Sequence, residues 1–113
     1  MTKFLYLIRG GDEKAKELSP EEMQSLMQTW TTWMKSLADK GQFVDGLPLS
    51  PDGKCVRNGG EVVSDGPYPE GKELVGGYLI VNAENLDEAV EISKPCPVYE
   101  TGGLVEIREI INM

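Results

Sequence analysis

The amino-acid sequence predicts a single α+β domain, residues 1–113, with an antiparallel sheet whose helices all lie on one face. Three observations carry this. Segments 3–9 and 78–81 hold runs of apolar residues at successive positions, so strands built from them would be apolar on both faces. Two other segments open with helix N-cap signatures and continue with apolar residues three and four apart. The segments follow one another as β-α-β, a hairpin, then β-α-β, over a length that suits one core.

In chain order, residues 3–9 (KFLYLIR) form the first expected strand, with Phe4, Tyr6 and Ile8 on one side and Leu5 and Leu7 on the other. Residues 10–18 are polar and read as a connection. Ser19-Pro20-Glu21-Glu22 is a helix start: a hydroxyl N-cap, proline at the first helical position, and a glutamate placed to close a capping box. Met23, Leu26, Met27, Trp30, Trp33, Met34 and Leu37 then make one apolar stripe, and Lys40-Gly41 supplies a cation and a left-handed stop. Residues 42–49 are a second strand, and Ser50-Pro51-Asp52-Gly53 a turn. Residues 54–57 and 61–64 flank Asn58-Gly59-Gly60 as a hairpin. Two prolines and two glycines within residues 65–71 exclude regular structure there. After the 78–81 strand, Asn85 caps a shorter helix with Leu86, Ala89 and Val90 inward and Pro95 beyond its end. Residues 104–111 are the last strand, with Val105 and Ile107 sharing a face. Two such units suggest a ferredoxin-like sheet.

Two helices cover one face of four strands, so the second apolar face needs another cover. Left in water it would be several hundred Å² of contiguous apolar surface, more than soluble monomers usually show. A two-fold homodimer through that face is the simplest closed answer, and burial at about 25 cal/mol per Å² would supply on the order of 10 kcal/mol before association costs. The alternative is that the hairpin folds back over the face.

Composition removes several function classes. With 19 Asp and Glu against 11 Lys and Arg the net charge is -8, a field that repels nucleic acid. The N-terminal apolar run of five residues lacks a basic flank and a cleavage site, so neither a signal peptide nor a membrane span is expected, and the chain reads as cytoplasmic. Cys55 and Cys96 read as free thiols. Histidine is absent, which removes Ser-His-Asp and Cys-His catalysis, histidine bases, and histidine-ligated metal or haem. No EF-hand-like carboxylate spacing is present, so neither a metal nor a cofactor is expected.

Several local patterns, Leu7-Ile8-Arg9-Gly10-Gly11, Ser19 to Gln24, Ser64-Asp65-Gly66-Pro67-Tyr68, Glu70-Gly71-Lys72-Glu73, Gly76-Gly77-Tyr78, Leu86-Asp87-Glu88-Ala89 and Gly103 to Arg108, stand in an order that resembles the YCII-related superfamily. More narrowly they are similar to its DGPF branch, with Asp-Gly-Pro-Tyr in place of the naming tetrapeptide. The resemblance implies a ferredoxin-like fold that dimerises through its sheet faces, as in dimeric α/β barrels, and a regulatory setting beside sigma factors. It also implies a His-Asp catalytic pair; this sequence has no histidine to form it, and Asp65 alone matches the aspartate.

The candidate site is Asp65 as a general base, with Arg9, Tyr68, Lys72 and Glu73 as ligand-binding residues for a small acidic or aromatic molecule. An aspartate against apolar walls has its pKa raised toward the range of a base, and an arginine at a strand exit suits a carboxylate. Beside this stand plainer readings. Asp65-Gly66-Pro67 is also an Asx-turn, Lys72-Glu73 a solvated pair, and Arg9 a partner for Asp12 or Glu106. Trp30 and Trp33 fall on the core stripe, with ligand stacking as the other possibility. Two function classes follow: a small-molecule-binding or accessory protein, or a cofactor-free lyase, isomerase or hydrolase.

Overall fold

In the structure, a computed structural model, residues 1–66 and 74–113 are described. Strand β1 (Thr2–Arg9) is followed by a short helix α1 (Asp12–Ala15) and the long helix α2 (Pro20–Asp39). Strand β2 (Phe43–Pro48) leads into a hairpin of β3 (Gly53–Arg57) and β4 (Val62–Gly66). Strand β5 (Val75–Ala83), helix α3 (Leu86–Ser93) and strand β6 (Leu104–Glu109) complete the chain. The four long strands form one antiparallel sheet in the order β2-β5-β1-β6, and β3-β4 form a separate two-stranded sheet. This is the ferredoxin-like arrangement expected from the alternation of elements.

Alternation along the strands sorts the side chains into two sets. On the helix side, Phe4, Tyr6, Val81 and Ala83 are fully buried, joined by Ile8 and Leu79. Trp33 and Leu37 of α2, Ala89 of α3, and Cys96 and Val98 beyond it close over them, so both helices lie on one face. Val105 and Ile107 of β6 stand opposite Ile8 and Tyr6 and join the same core. On the other side Leu5, Leu7, Tyr78 and Ile80 stay only half-buried.

Helix α2 begins as its sequence requires. The Glu22 N–H donates to Ser19 Oγ at 3.1 Å and the Ser19 N–H donates to Glu22 Oε1 at 2.9 Å, a reciprocal capping box. These bonds hold the Glu22 carboxyl below its usual pKa range. Past the helix, Gly41 takes φ 71°. The Met23 to Leu37 stripe faces the sheet, except that Met27 is 57% exposed.

Three local expectations change. The 10–18 connection contains α1, which packs beside the 97–101 turn; a methyl group at Gly11 would meet Thr101 Oγ1 at 2.6 Å. The last strand ends at Glu109, leaving Ile111 exposed. Helix α3 is rotated from its expected facing. Ala89 and Ser93 are buried and Ile92 packs on the core, whereas Leu86 and Val90 are exposed. The rotation is tolerable because Ser93 Oγ donates to the Val90 carbonyl at 2.7 Å, satisfying a polar group that would otherwise be costly to bury. It also brings the Ala89 carbonyl to the Tyr6 hydroxyl, which donates to it inside the core.

The hairpin does not cover the open sheet face. Among the described residues it has no extensive contact with the rest of the chain, and Val56 and Val63 are 61% and 58% exposed.

Candidate functional site

The described residues enclose an apolar pocket of about 280 Å³ between α2 and the β2–β5 end of the sheet. Met27, Trp30 and Met34, one turn apart along α2, form its helix wall. Gly46, Leu47 and Pro48 of β2, Gly76 to Leu79 of β5 and Ile8 of β1 form the sheet wall.

Backbone geometry opens this space. The pairing of β1 with β5 slips between Ile8 and Arg9, so Gly76 is an extra residue on β5, a bulge at the rim of the sheet. Beside it, β2 and β5 approach too closely for side chains. A methyl group at Gly46 would meet the Tyr78 carbonyl at 2.8 Å, and one at Gly77 the Leu47 carbonyl at 3.2 Å. With no side chain at either glycine, α2 supplies the cover. Trp30 stands edge-on to the buried Trp33, with ring centroids 5.7 Å apart and planes at 70°, and this contact fixes the indole in the wall.

Its chemistry follows from the same residues. Among the described residues no Asp, Glu, Lys or Arg lines the pocket. An ionised ligand would lose its hydration here with nothing to replace it, whereas a neutral ring would meet indole, thioether and aliphatic surface.

Of the residues singled out from sequence, Arg9 lies at the same end of the sheet, next to Ile8, but on the opposite face. Its Nε donates to Glu106 Oε1 at 2.8 Å, one of the two partners considered for it. Glu106 also lies 3.8 Å from Arg108 Nη1. Asp65 stands on β4 in register with Lys54. Tyr68, Lys72 and Glu73 lie outside the described residues. Among the described residues no three His, Cys, Asp or Glu side chains are grouped to hold a metal ion, and no helix is long and apolar enough to cross a membrane.

The sequence places Trp30, Met27 and Met34 on the core stripe, with ligand stacking as the other possibility for Trp30; Trp30 and Met34 do pack against the core, and all three also face the pocket. The signal that separates them from Trp33 and Leu37 is the glycine content of the strands they face: Gly46, Gly76 and Gly77 leave that end of the stripe unfilled.

The two cysteines differ. Cys55 sits half-buried on the hairpin, whereas Cys96 is in the core, where burial pushes its thiol up to about 12.

Among solved structures, 5-chloro-2-hydroxyhydroquinone dehydrochlorinase from Burkholderia phenoliruptrix AC1100, in complex with 2,5-dihydroxybenzoquinone, aligns with a TM-score of 0.50 at 17% identity, covering 98% of this chain and 95% of that one. At that identity the likeness is one of fold. No curated protein matches the chain in sequence. A family model described as the YCII-related domain matches residues 3–113. With nearly every residue inside that match, the chain belongs to the YCII-related domain family.

Proposed function

We propose that this chain is a dimeric small-molecule-binding protein, of the DGPF-type branch of its family, whose ligand is a small neutral aromatic molecule held between α2 and the sheet. The observation that carries this reading is the pocket wall, which combines Trp30 and two methionines with glycine backbone and has no charged side chain among the described residues. At about 280 Å³ it falls just below the usual range for drug-sized ligands, which suits one or two rings. Of the acidic and aromatic ligands considered from sequence it favours the aromatic, and the net charge of -8 acts in the same direction. A ligand of about ten heavy atoms, at about 0.5 kcal/mol each, binds with a Kd on the order of 0.1 mM. The dimer reading is supported by the open sheet face, where Leu5, Leu7, Tyr78 and Ile80 stay only half-buried within the described chain.

The test is titration with 2-naphthol, followed by tryptophan fluorescence, with benzoate as the ionised counterpart. Saturable quenching by naphthol and none by benzoate is expected; the absence of a saturable response to any neutral arene at millimolar concentration ends the reading. The second class, a cofactor-free lyase, isomerase or hydrolase with Asp65 as base, draws on sequence position: one connection, residues 67–73, separates the Asp65 strand from the Gly76–Gly77 wall. Consumption of a bound arene by the wild type, lost in Asp65→Asn, would favour it.

A further inference from the structure

The four-stranded sheet ends in two edges, β2 and β6, and they are built differently. An edge strand turns every second residue's N–H and C=O outward, where another strand can bond to them. On β2 the Leu49 N–H donates to the Gly76 carbonyl at 2.9 Å, which fixes the alternation and turns Gly46 and Pro48 outward. Pro48 has no N–H, the Gly46 N–H donates to Asp45 Oδ1 at 2.8 Å, and the pairing slips between Phe43 and Asp45. That edge is blunted against a further strand. On β6 the Ile110 N–H donates to the Lys3 carbonyl at 2.9 Å, so Arg108, Glu106 and Leu104 bond to β1, while Val105, Ile107 and Glu109 turn outward. This strand has no proline and no register slip, and among the described residues no hydrogen bond reaches those outward backbone groups.

We infer that β6 is a strand-pairing edge whose partner is β6 of a second copy, antiparallel, with the two-fold axis at Ile107. Charge selects both the partner and the register. Charged side chains on an edge turn most incoming strands away. Here Glu106 and Arg108 share the open-face side two residues apart and carry opposite signs. An axis at Ile107 sets Glu106 opposite the partner's Arg108, and Arg108 opposite the partner's Glu106. Moving the axis one residue either way sets like charges against each other, Glu106 on the partner's Glu106 or Arg108 on the partner's Arg108. The axis at Ile107 also agrees with the backbone. It pairs Ile107 with the partner's Ile107, and Val105 and Glu109 with the partner's Glu109 and Val105, all of them outward-facing positions that exchange two hydrogen bonds per pair. Such an edge contact is weaker than a buried sheet face and belongs to higher concentration. It leaves the open face and the pocket untouched, so it stands or falls separately from the readings above.

The experiment is amide hydrogen exchange followed by NMR at millimolar concentration. It uses the intact chain, Arg108→Glu, Arg108→Lys, and Glu109→Pro, which removes an outward donor and no bond to β1. The amides of Glu106 and Arg108 bond to β1 and report in every variant that the sheet is intact. Those of Val105 and Ile107 are protected only when the edge is paired, and a face-to-face dimer leaves them exchanging freely. Protection of both is expected in the intact chain and in Arg108→Lys, and protection about tenfold weaker in Arg108→Glu and Glu109→Pro. Free exchange of Val105 and Ile107 in the intact chain overturns the inference. Equal protection in all four chains overturns it as well, since the cover would then be something other than a second β6.

Discussion

The two faces of the four-stranded sheet carry the same kind of side chain and meet different fates. On one, Phe4, Tyr6 and Val81 are wholly buried under α2 and α3; on the other, Leu5, Leu7, Tyr78 and Ile80 alternate with them along the same strands and stay half-exposed. A strand apolar on both faces needs two covers, and the described residues supply one. The helix face is therefore a stability element of the single chain, and in the proposed dimer the open face is the association element. Substitutions on the two should separate folding from assembly.

The largest effect belongs to the covered face. Phe4→Ala, at a fully buried position, is expected to cost about 3–5 kcal/mol in chemical denaturation, measured at a protein concentration where the oligomeric state is constant. Leu7→Glu, its counterpart on the open face, is expected to weaken dimerisation by about a hundredfold while leaving the far-UV spectrum unchanged. If Leu7→Glu instead unfolds the chain as Phe4→Ala does, the division between the faces fails.

An intermediate effect concerns pH. Burial, and secondarily Tyr99 and Cys96, push the Tyr6 phenol well above its ordinary value of 10.0, and burial pushes the Cys96 thiol from 9.0 to about 12. Both groups are favoured in their neutral form by folding. Their contribution is complete below the unfolded values and is lost as pH rises through the folded ones, so stability should fall from about pH 9 toward pH 12. Denaturation midpoints over that range check it. In the same vein, a thiol reagent at pH 8 should label Cys55 in the native chain and Cys96 only after unfolding. Smaller again, Ser19→Ala removes one half of the capping box and is expected to cost about 1 kcal/mol. At the pocket lip, Met27→Glu changes an exposed residue; it should leave stability within about 0.5 kcal/mol and weaken arene binding about tenfold.

The architecture was legible because its signals are local. The Ser19-to-Glu22 box, the apolar stripe of α2, and the alternation of Phe4, Tyr6 and Ile8 with Leu5 and Leu7 each act within a few residues. Asn58, Gly59 and Gly60 all adopt positive φ at the hairpin tip, as their types allow. The facing of α3 was not legible, since a buried Ser93 is acceptable only through its bond to the Val90 carbonyl and burial of Ala89 goes with the reach of Tyr6, 83 residues away in sequence. The pocket was missed for a related reason. It arises from a bulge at Gly76 and the close approach of β2 to β5, which no periodicity encodes. Arg9 was recognised as a charge at the strand exit, but alternation turns it to the open face, toward Glu106 and away from the pocket.

The central claim is that the open face is covered by a second copy, and the mass of the particle in solution tests it most directly. Sedimentation equilibrium at micromolar concentration is expected to return twice the chain mass of 12.5 kDa. A single species of 12.5 kDa, unchanged as concentration is raised, would contradict it.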